Sequence, residues 1–182
     1  KNTQLSNVDT VTCYWLGFTV MVGFWEVVYL TNRQSGKKYA ENLVATNTHV
    51  WTTDYGPSML LPWNLSKLFY AEYAAWADRE YMCYEDGWSL VVEGSHCVCC
   101  AVGSLFTLLY MINGNDDMFF KMLCATMGSQ AMNSIVYLGE YWVQCSVPEN
   151  VNFDNSAFPC GKWFMKRVFM WVNIFWILMP TY

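Results

Sequence analysis

Four stretches of this chain are nearly free of charged side chains, and they limit what it can fold into. Residues 10–32 carry one charged side chain, Glu26, and residues 94–115 carry no acidic side chain and no Lys or Arg. Residues 122–139 and 168–182 are uncharged. Since an α-helix needs about 20 apolar residues to cross the hydrocarbon core of a bilayer, each stretch is a candidate transmembrane helix.

The composition favours a membrane protein over a soluble one. Apolar residues make up 54% of the chain and charged residues 14%, whereas a soluble domain has about 25% charged residues. Buried helices of a soluble protein are the alternative, but they would need a polar shell that this composition does not supply. We therefore predict an all-α polytopic membrane helix bundle, one domain over residues 1–182. Its four transmembrane helices are predicted at about 10–32, 88–112, 119–140 and 164–182.

The segment 33–87 differs in character from the predicted spans. Its first half has the turn residues of a loop, including Gly36 and Pro57. From Ser66 to about Tyr81 the apolar spacing becomes helical, with Ser66 as a candidate N-cap, and we predict an interfacial helix here. Residues 113–117, Asn-Gly-Asn-Asp-Asp, predict a tight turn between the second and third spans. Because the sequence starts without Met and stops within an apolar stretch, we interpret it as part of a longer chain.

Several classes of function are disfavoured by the sequence. A net charge of −5 and the lack of a basic stripe argue against a nucleic-acid partner. Cys97, Cys99 and Cys100 point in different directions on a helix, and no second Cys/His pair faces them, so we expect no metal site. We expect no cofactor either, since the chain has no Gly-rich phosphate motif. A Cys145–Cys160 disulfide is left open.

The main functional clue is the depth of polar residues inside the predicted spans. Glu26 lies six residues before Asn32, and Glu93 lies about six residues after Gly87. At 1.5 Å per residue, both carboxyl groups are expected about 9 Å inside the same membrane surface. Asn173 enters from that surface as well, and Trp176 follows on the same helix face.

Other polar groups are expected at a similar level. His96 shares a helix face with Glu93, Tyr137 has a comparable depth, and Gln130 is nearer the midplane. Each also has a purely structural interpretation: a carboxylate near a span end can reach the interface, and His96 or Asn173 can serve helix packing. Taken together, they predict a polar cavity inside the bundle.

Such a cavity suits proton chemistry on an apolar substrate. A protonated acid next to an ionised carboxylate is the pairing used in general acid–base catalysis. The face of a Trp ring can stabilise a cation without acting as a nucleophile. We therefore expect proton transfer on the carbon skeleton of a lipid-like molecule.

Five short motifs follow one another along the chain, and their order can be compared with that of known membrane proteins. Residues 24–26 read Phe-Trp-Glu, residues 71–74 read Ala-Glu-Tyr-Ala before Asp-Arg-Glu-Tyr at 78–81, residues 92–94 read Val-Glu-Gly, residues 128–137 run from Gly-Ser-Gln to Tyr, and residues 173–180 fit Asn-x-x-Trp-x-x-x-Pro. In this order they resemble the emopamil-binding proteins, the sterol Δ8–Δ7 isomerases of the EXPERA superfamily. The likeness covers nearly the whole chain.

The resemblance implies a membrane isomerase of the endoplasmic reticulum that protonates a sterol double bond and removes a neighbouring proton. It implies that Glu26 and Glu93 handle the protons, that Trp176 faces the cation, and that Asn173 holds a carboxylate. From the cavity we expect substrate contacts by Gln130, Tyr137 and Trp25. The implied partners are a sterol or terpenoid substrate in the bilayer and cationic amphiphilic ligands; a homodimer is left open.

One departure from the family pattern motivates a specific hypothesis. The family has a catalytic histidine one turn before its first Glu, and this chain has Val22 there. We hypothesise that His96 reaches the cavity from another helix and replaces it. Two alternatives stay open: an enzyme that isomerises or cyclises another terpenoid or lipophilic skeleton, and a non-catalytic sterol-binding or trafficking protein.

Overall fold

Residues 7–78, 87–146 and 168–182 are described by a computed structural model, and in these ranges the chain is helical, with short turns and no strand. This confirms the predicted all-α class. The helices of this part of the chain are α1 (Asn7–Thr46), α2 (Pro62–Glu72), α3 (Trp88–Ile112), α4 (Asp116–Ser146) and α5 (Val168–Thr181).

Helix α1 is much longer than predicted. It has 40 residues, so the predicted loop at 33–46 is wrong: these residues continue the helix. Gly36 weakens the helix only locally, while Tyr29, Ala40 and Leu43 are buried in one core cluster with α2 and stabilise the extension. At 1.5 Å per residue α1 is about 60 Å long, roughly twice the thickness of a bilayer core.

The end of α1 is set by a left-handed residue, Asn47, at φ 50°. The Thr48 N–H donates to the Leu43 carbonyl at 2.9 Å, and the Asn47 N–H donates to the Val44 carbonyl at 3.2 Å. These two bonds form a Schellman motif, which satisfies carbonyls that the end of a helix leaves free. The chain then turns back toward α2.

Helix α2 begins at Pro62, four residues before the predicted N-cap. Proline suits the first turn of a helix because that position needs no N–H donor. Ser66 is therefore interior rather than a cap, and its hydroxyl donates to the Pro62 carbonyl at 2.7 Å. The helix continues into a π-helical turn at Tyr73–Ala77 and packs along α1. The last predicted residues, 79–81, lie outside the described ranges.

Helices α3 and α4 form the hairpin that the sequence predicts, and α3 has the predicted bounds of 88–112. Gly114 has a φ of 66°, which closes α3 by letting the Asn115 N–H donate to the Tyr110 carbonyl at 3.0 Å. Asn115 then caps α4 by accepting the Met118 N–H at 3.1 Å. The turn chemistry is local, which is why the sequence predicts it.

Two of the described helices, Thr10–Thr46 and Trp88–Ile112, are long and apolar enough to cross a membrane. Helix α4 has sufficient length at 31 residues but is not apolar enough by the same standard. The described part of α5 is apolar but short, with 14 residues. Its predicted start at 164 lies outside the described residues.

Candidate active site

A cavity of about 360 Å³ lies between the helices. All five helices contribute to its wall, and most of the lining is apolar or aromatic. Among the predicted site residues, the lining includes Trp25, Glu26, Glu93, His96, Tyr137, Asn173 and Trp176. Gln130 is not in the lining but lies directly behind His96.

Glu26 and His96 form the closest polar contact at the cavity. Nδ1 of His96 lies 2.5 Å from Oε1 of Glu26, although the residues are 70 positions apart in the chain. Glu26 is 4% exposed and His96 is 7% exposed. The other Glu26 oxygen, Oε2, is buried and has no hydrogen-bond partner among the described residues. The His96 contact is therefore the hydrogen bond that orients the Glu26 carboxyl group among the described residues.

A buried amide supports His96 from behind. Gln130 is fully buried, and its Nε2 lies 3.3 Å from Nε2 of His96. The same amide nitrogen donates to Oγ1 of Thr19 at 3.2 Å, while its oxygen accepts the Trp15 indole N–H at 2.8 Å. Gln130 therefore connects α1 to the imidazole and does not contact the cavity itself.

Glu93 reaches the cavity from α3 and is only partly buried. The Tyr70 hydroxyl donates to its Oε2 at 3.3 Å. The Tyr70 ring stacks on Tyr29, with centroids 5.0 Å apart, and the Tyr29 hydroxyl lies 2.9 Å from Ser89 Oγ. Nη2 of Arg33 donates to the same Ser89 oxygen at 3.4 Å. Hydrogen bonds at Tyr70 and Tyr29, joined by the stack of their rings, thus lead from Glu93 to Arg33 on α1.

Trp176 forms an aromatic wall next to the acidic groups. Its ring centroid lies 5.3 Å from that of His96 in an edge-to-face arrangement. It also stacks on Phe18 at 5.5 Å and packs against Trp15 at 4.7 Å. Asn173, one turn earlier on α5, lines the same cavity. This placement agrees with the prediction that Asn173 and Trp176 share one face of their helix.

Trp25 and Tyr137 lie at other parts of the wall. The Trp25 ring packs against Phe69 of α2, with centroids 5.3 Å apart. The buried Tyr137 hydroxyl donates to the Asp78 carboxylate, which is itself buried. The Tyr137 hydroxyl is thus hydrogen-bonded within the protein, and a ligand in the cavity would contact the Tyr137 ring.

Two π-helical segments border the cavity, Tyr73–Ala77 after α2 and His96–Val102 inside α3. Each wide turn changes the direction of the side chains that follow it, and such turns are common at functional sites. His96 starts the second segment, and Tyr73 and Ala77, which bound the first, both line the cavity. Nothing in the residue pattern signalled either segment.

Sequence reasoning missed the contribution of α2 to the site. Phe69, Tyr70 and Tyr73 line the cavity, although we predicted that this helix lies along the membrane interface. Asn133 and Ser134 of α4 also line it. The Glu-Tyr-Ala motif at 72–74 was a signal for α2, since it belongs to the family resemblance and adjoins Tyr70.

The described residues contain no group of His, Cys, Asp and Glu that could hold a metal ion. The Cys145–Cys160 pair lies outside the side chains that the structure describes. No family model, curated protein or solved structure matches the chain.

Proposed function

We propose that this chain is a four-span membrane isomerase that shifts a ring double bond, Δ8 to Δ7, in a sterol or related polycyclic lipid. Helices α1 and α3 have the length and apolarity that the proposal needs. The outer surfaces of α4 and α5 are apolar as well. Their exposed large side chains include Met132, Ile135, Val136, Phe175 and Leu178. Lipid contact would cover a surface that water would not favour.

The reaction needs one proton donor and one proton acceptor on either side of a cation. In the first step a carboxyl group donates its proton to one alkene carbon, and the π electrons form the new C–H bond. This leaves a carbocation on the neighbouring carbon. In the second step a carboxylate removes a proton from an adjacent carbon, and the electrons of that C–H bond form the shifted double bond. One proton enters and one leaves, so the substrate keeps its formula.

The observation that carries the proposal is the placement of Glu26, Glu93 and Trp176 on one apolar cavity. The two carboxyl groups come from different helices, so they can address different carbons of one substrate. The indole ring offers a π face to the cation. The mostly apolar and aromatic lining offers water few hydrogen-bonding groups, which would protect a cationic intermediate from capture.

The test is expression in a yeast strain that lacks its own Δ8 isomerase, followed by sterol profiling. We expect Δ7 sterols to form with the wild-type chain. In a purified preparation, Glu26→Gln and Glu93→Gln should each lower turnover by about 100-fold or more, because a carboxamide cannot exchange a proton. Glu41→Gln is the matched control, since Glu41 is an exposed carboxylate on α1.

Other outcomes assign other functions. Accumulated Δ8 sterols, despite good membrane expression, would reject sterol isomerisation. If the purified protein still bound a sterol without changing it, it would be a sterol-binding protein. If it bound none, a search with other polycyclic terpenoids would follow. Equal activity of the wild type and both Gln variants would reject the proton-transfer role of the carboxyl groups.

A further inference from the structure

The orientation of the Gln130 amide is fixed by two independent contacts. Trp15 can only donate through its indole N–H, so the Gln130 atom 2.8 Å away must be the oxygen. The Thr19 hydroxyl donates its proton to the Trp15 carbonyl at 2.9 Å. Its oxygen can therefore only accept, and the Gln130 atom at 3.2 Å must be the amide nitrogen.

This orientation determines which nitrogen of His96 carries a proton. The Gln130 amide nitrogen has hydrogens and no available lone pair, so at 3.3 Å it must donate to Nε2 of His96. An Nε2 atom that accepts a hydrogen bond is unprotonated. The proton of the neutral imidazole is then on Nδ1, which lies 2.5 Å from Oε1 of Glu26. His96 consequently donates to Glu26.

We propose that Gln130 is a positioning residue that holds His96 as the neutral Nδ1–H tautomer, and that His96 in turn orients Glu26. Both imidazole nitrogens are occupied by protein groups, so His96 does not transfer protons to a substrate. Oε1 of Glu26 accepts the hydrogen bond from the imidazole N–H, while Oε2 has no hydrogen-bond partner among the described residues. The catalytic role of this positioning rests on the proposed isomerase function, whereas the assignment of the His96 tautomer is independent of that function.

The tautomer is measurable by ¹⁵N NMR of the imidazole nitrogens in protein reconstituted into lipid. The chain has two histidines, so His49→Gln assigns the His96 signals. We expect a protonated Nδ1 and an unprotonated Nε2 in the wild type. In Gln130→Glu, a carboxylate would face Nε2, and we expect both nitrogens to carry protons. Gln34→Glu, the same change at an exposed position of α1, should leave the His96 spectrum unchanged.

A second variant covers the case in which Gln130→Glu does not fold. Trp15→Phe keeps an aromatic ring but removes the donor that orients the amide, so a fraction of the Nε2–H tautomer should appear. In both Gln130→Glu and Trp15→Phe we expect turnover to fall about tenfold, since each disturbs one buried hydrogen bond of the network.

Two results would overturn the assignment: an Nε2–H signal for His96 in the wild type, or an unchanged His96 spectrum in both variants. The two proposals fail separately. A clear Nδ1–H signal in a protein without isomerase activity contradicts the proposed function and leaves the positioning role standing. An active isomerase with the Nε2–H tautomer does the reverse.

Discussion

At the residue scale, His96 and Glu26 form a contact between two helices, whereas the emopamil-binding proteins that the motifs resemble have their histidine one turn before the first Glu of the same helix. Val22 lies one turn before Glu26 on α1 and lines the same cavity. His96 approaches Glu26 from α3 instead. A histidine in either position could therefore donate to the same carboxylate. The hypothesis that His96 reaches the cavity agrees with this geometry, while its part in catalysis stays a prediction.

This exchange of positions can be tested directly. We expect His96→Ala to lower isomerase turnover at least about tenfold, because Glu26 loses a charge-assisted hydrogen bond. Adding Val22→His to that variant should recover part of the turnover, since side chains at i and i+4 of a helix are neighbours. Unchanged turnover in His96→Ala would remove histidine from the proposal altogether.

The hydroxyl of Tyr70 provides a second prediction at this scale. Tyr70→Phe removes the donor to Glu93 but keeps the ring that stacks on Tyr29. We expect turnover to fall about tenfold with little change in substrate binding, because the lost bond is to an ionisable group. Tyr14→Phe removes an exposed hydroxyl on α1 and is the control. A rise in KM with unchanged kcat would instead give Tyr70 a role in binding alone.

At the element scale, glycines set how closely the helices approach. A Cβ atom on Gly23 of α1 would lie 2.2 Å from Cβ of Ala101, in the π-helical part of α3. A Cβ on Gly103 would lie 2.5 Å from Oγ1 of Thr126 on α4. Small residues at such crossings let helix backbones pack closely, as is common in membrane bundles. The position of His96 opposite Glu26 depends on this close approach.

We predict that Gly23→Ala destabilises the protein by about 1–3 kcal/mol, the usual cost of forcing extra atoms into a packed interior. Combining it with Ala101→Gly should restore much of the loss. Gly17→Ala is the matched control on the same helix, because nothing lies within 4 Å of its added Cβ. Thermal unfolding in detergent measures all three. Equal melting temperatures for Gly23→Ala and Gly17→Ala would contradict the packing described above.

The turn after α1 holds α2 against α1. Glu72 of α2 accepts the Val50 N–H at 3.0 Å and lies 2.5 Å from Nδ1 of His49. The Trp76 indole donates to the Thr48 carbonyl at 3.2 Å. These contacts fix the C-terminal end of α2. The buried cluster that α2 shares with α1 places Tyr70 next to Glu93. The helix is therefore a wall of the site.

At the scale of the whole molecule, the proposed four spans make a testable prediction of topology. Under this proposal α3 crosses the membrane once between the 47–61 turn and the 113–115 hairpin, so these two segments would lie on opposite sides. In a cysteine-free background, single cysteines at Asp54 and Asn113 should react with an impermeant maleimide from opposite sides. Both positions are exposed, so neither should be shielded. Labelling of both from one side would contradict a membrane-spanning α3.

The sequence by itself determined the helical class, the bounds of α3 and the α3–α4 turn. These depend on local properties: long apolar runs, a glycine that can adopt positive φ, and an asparagine that caps the next helix. It also singled out Glu26, Glu93, His96, Asn173 and Trp176, because polar groups inside apolar runs are costly to bury without a role.

Only the tertiary structure decided the length of α1, the packing of α2 against the site, and the chain of hydrogen bonds from Gln130 through His96 to Glu26. These depend on contacts between distant segments: His96 is 34 residues from Gln130 and 70 from Glu26, and Trp15 is 115 residues from Gln130. Periodicity gives the face of a helix on which a side chain lies, but not the neighbour that the face will meet. That neighbour is fixed by packing of the complete bundle.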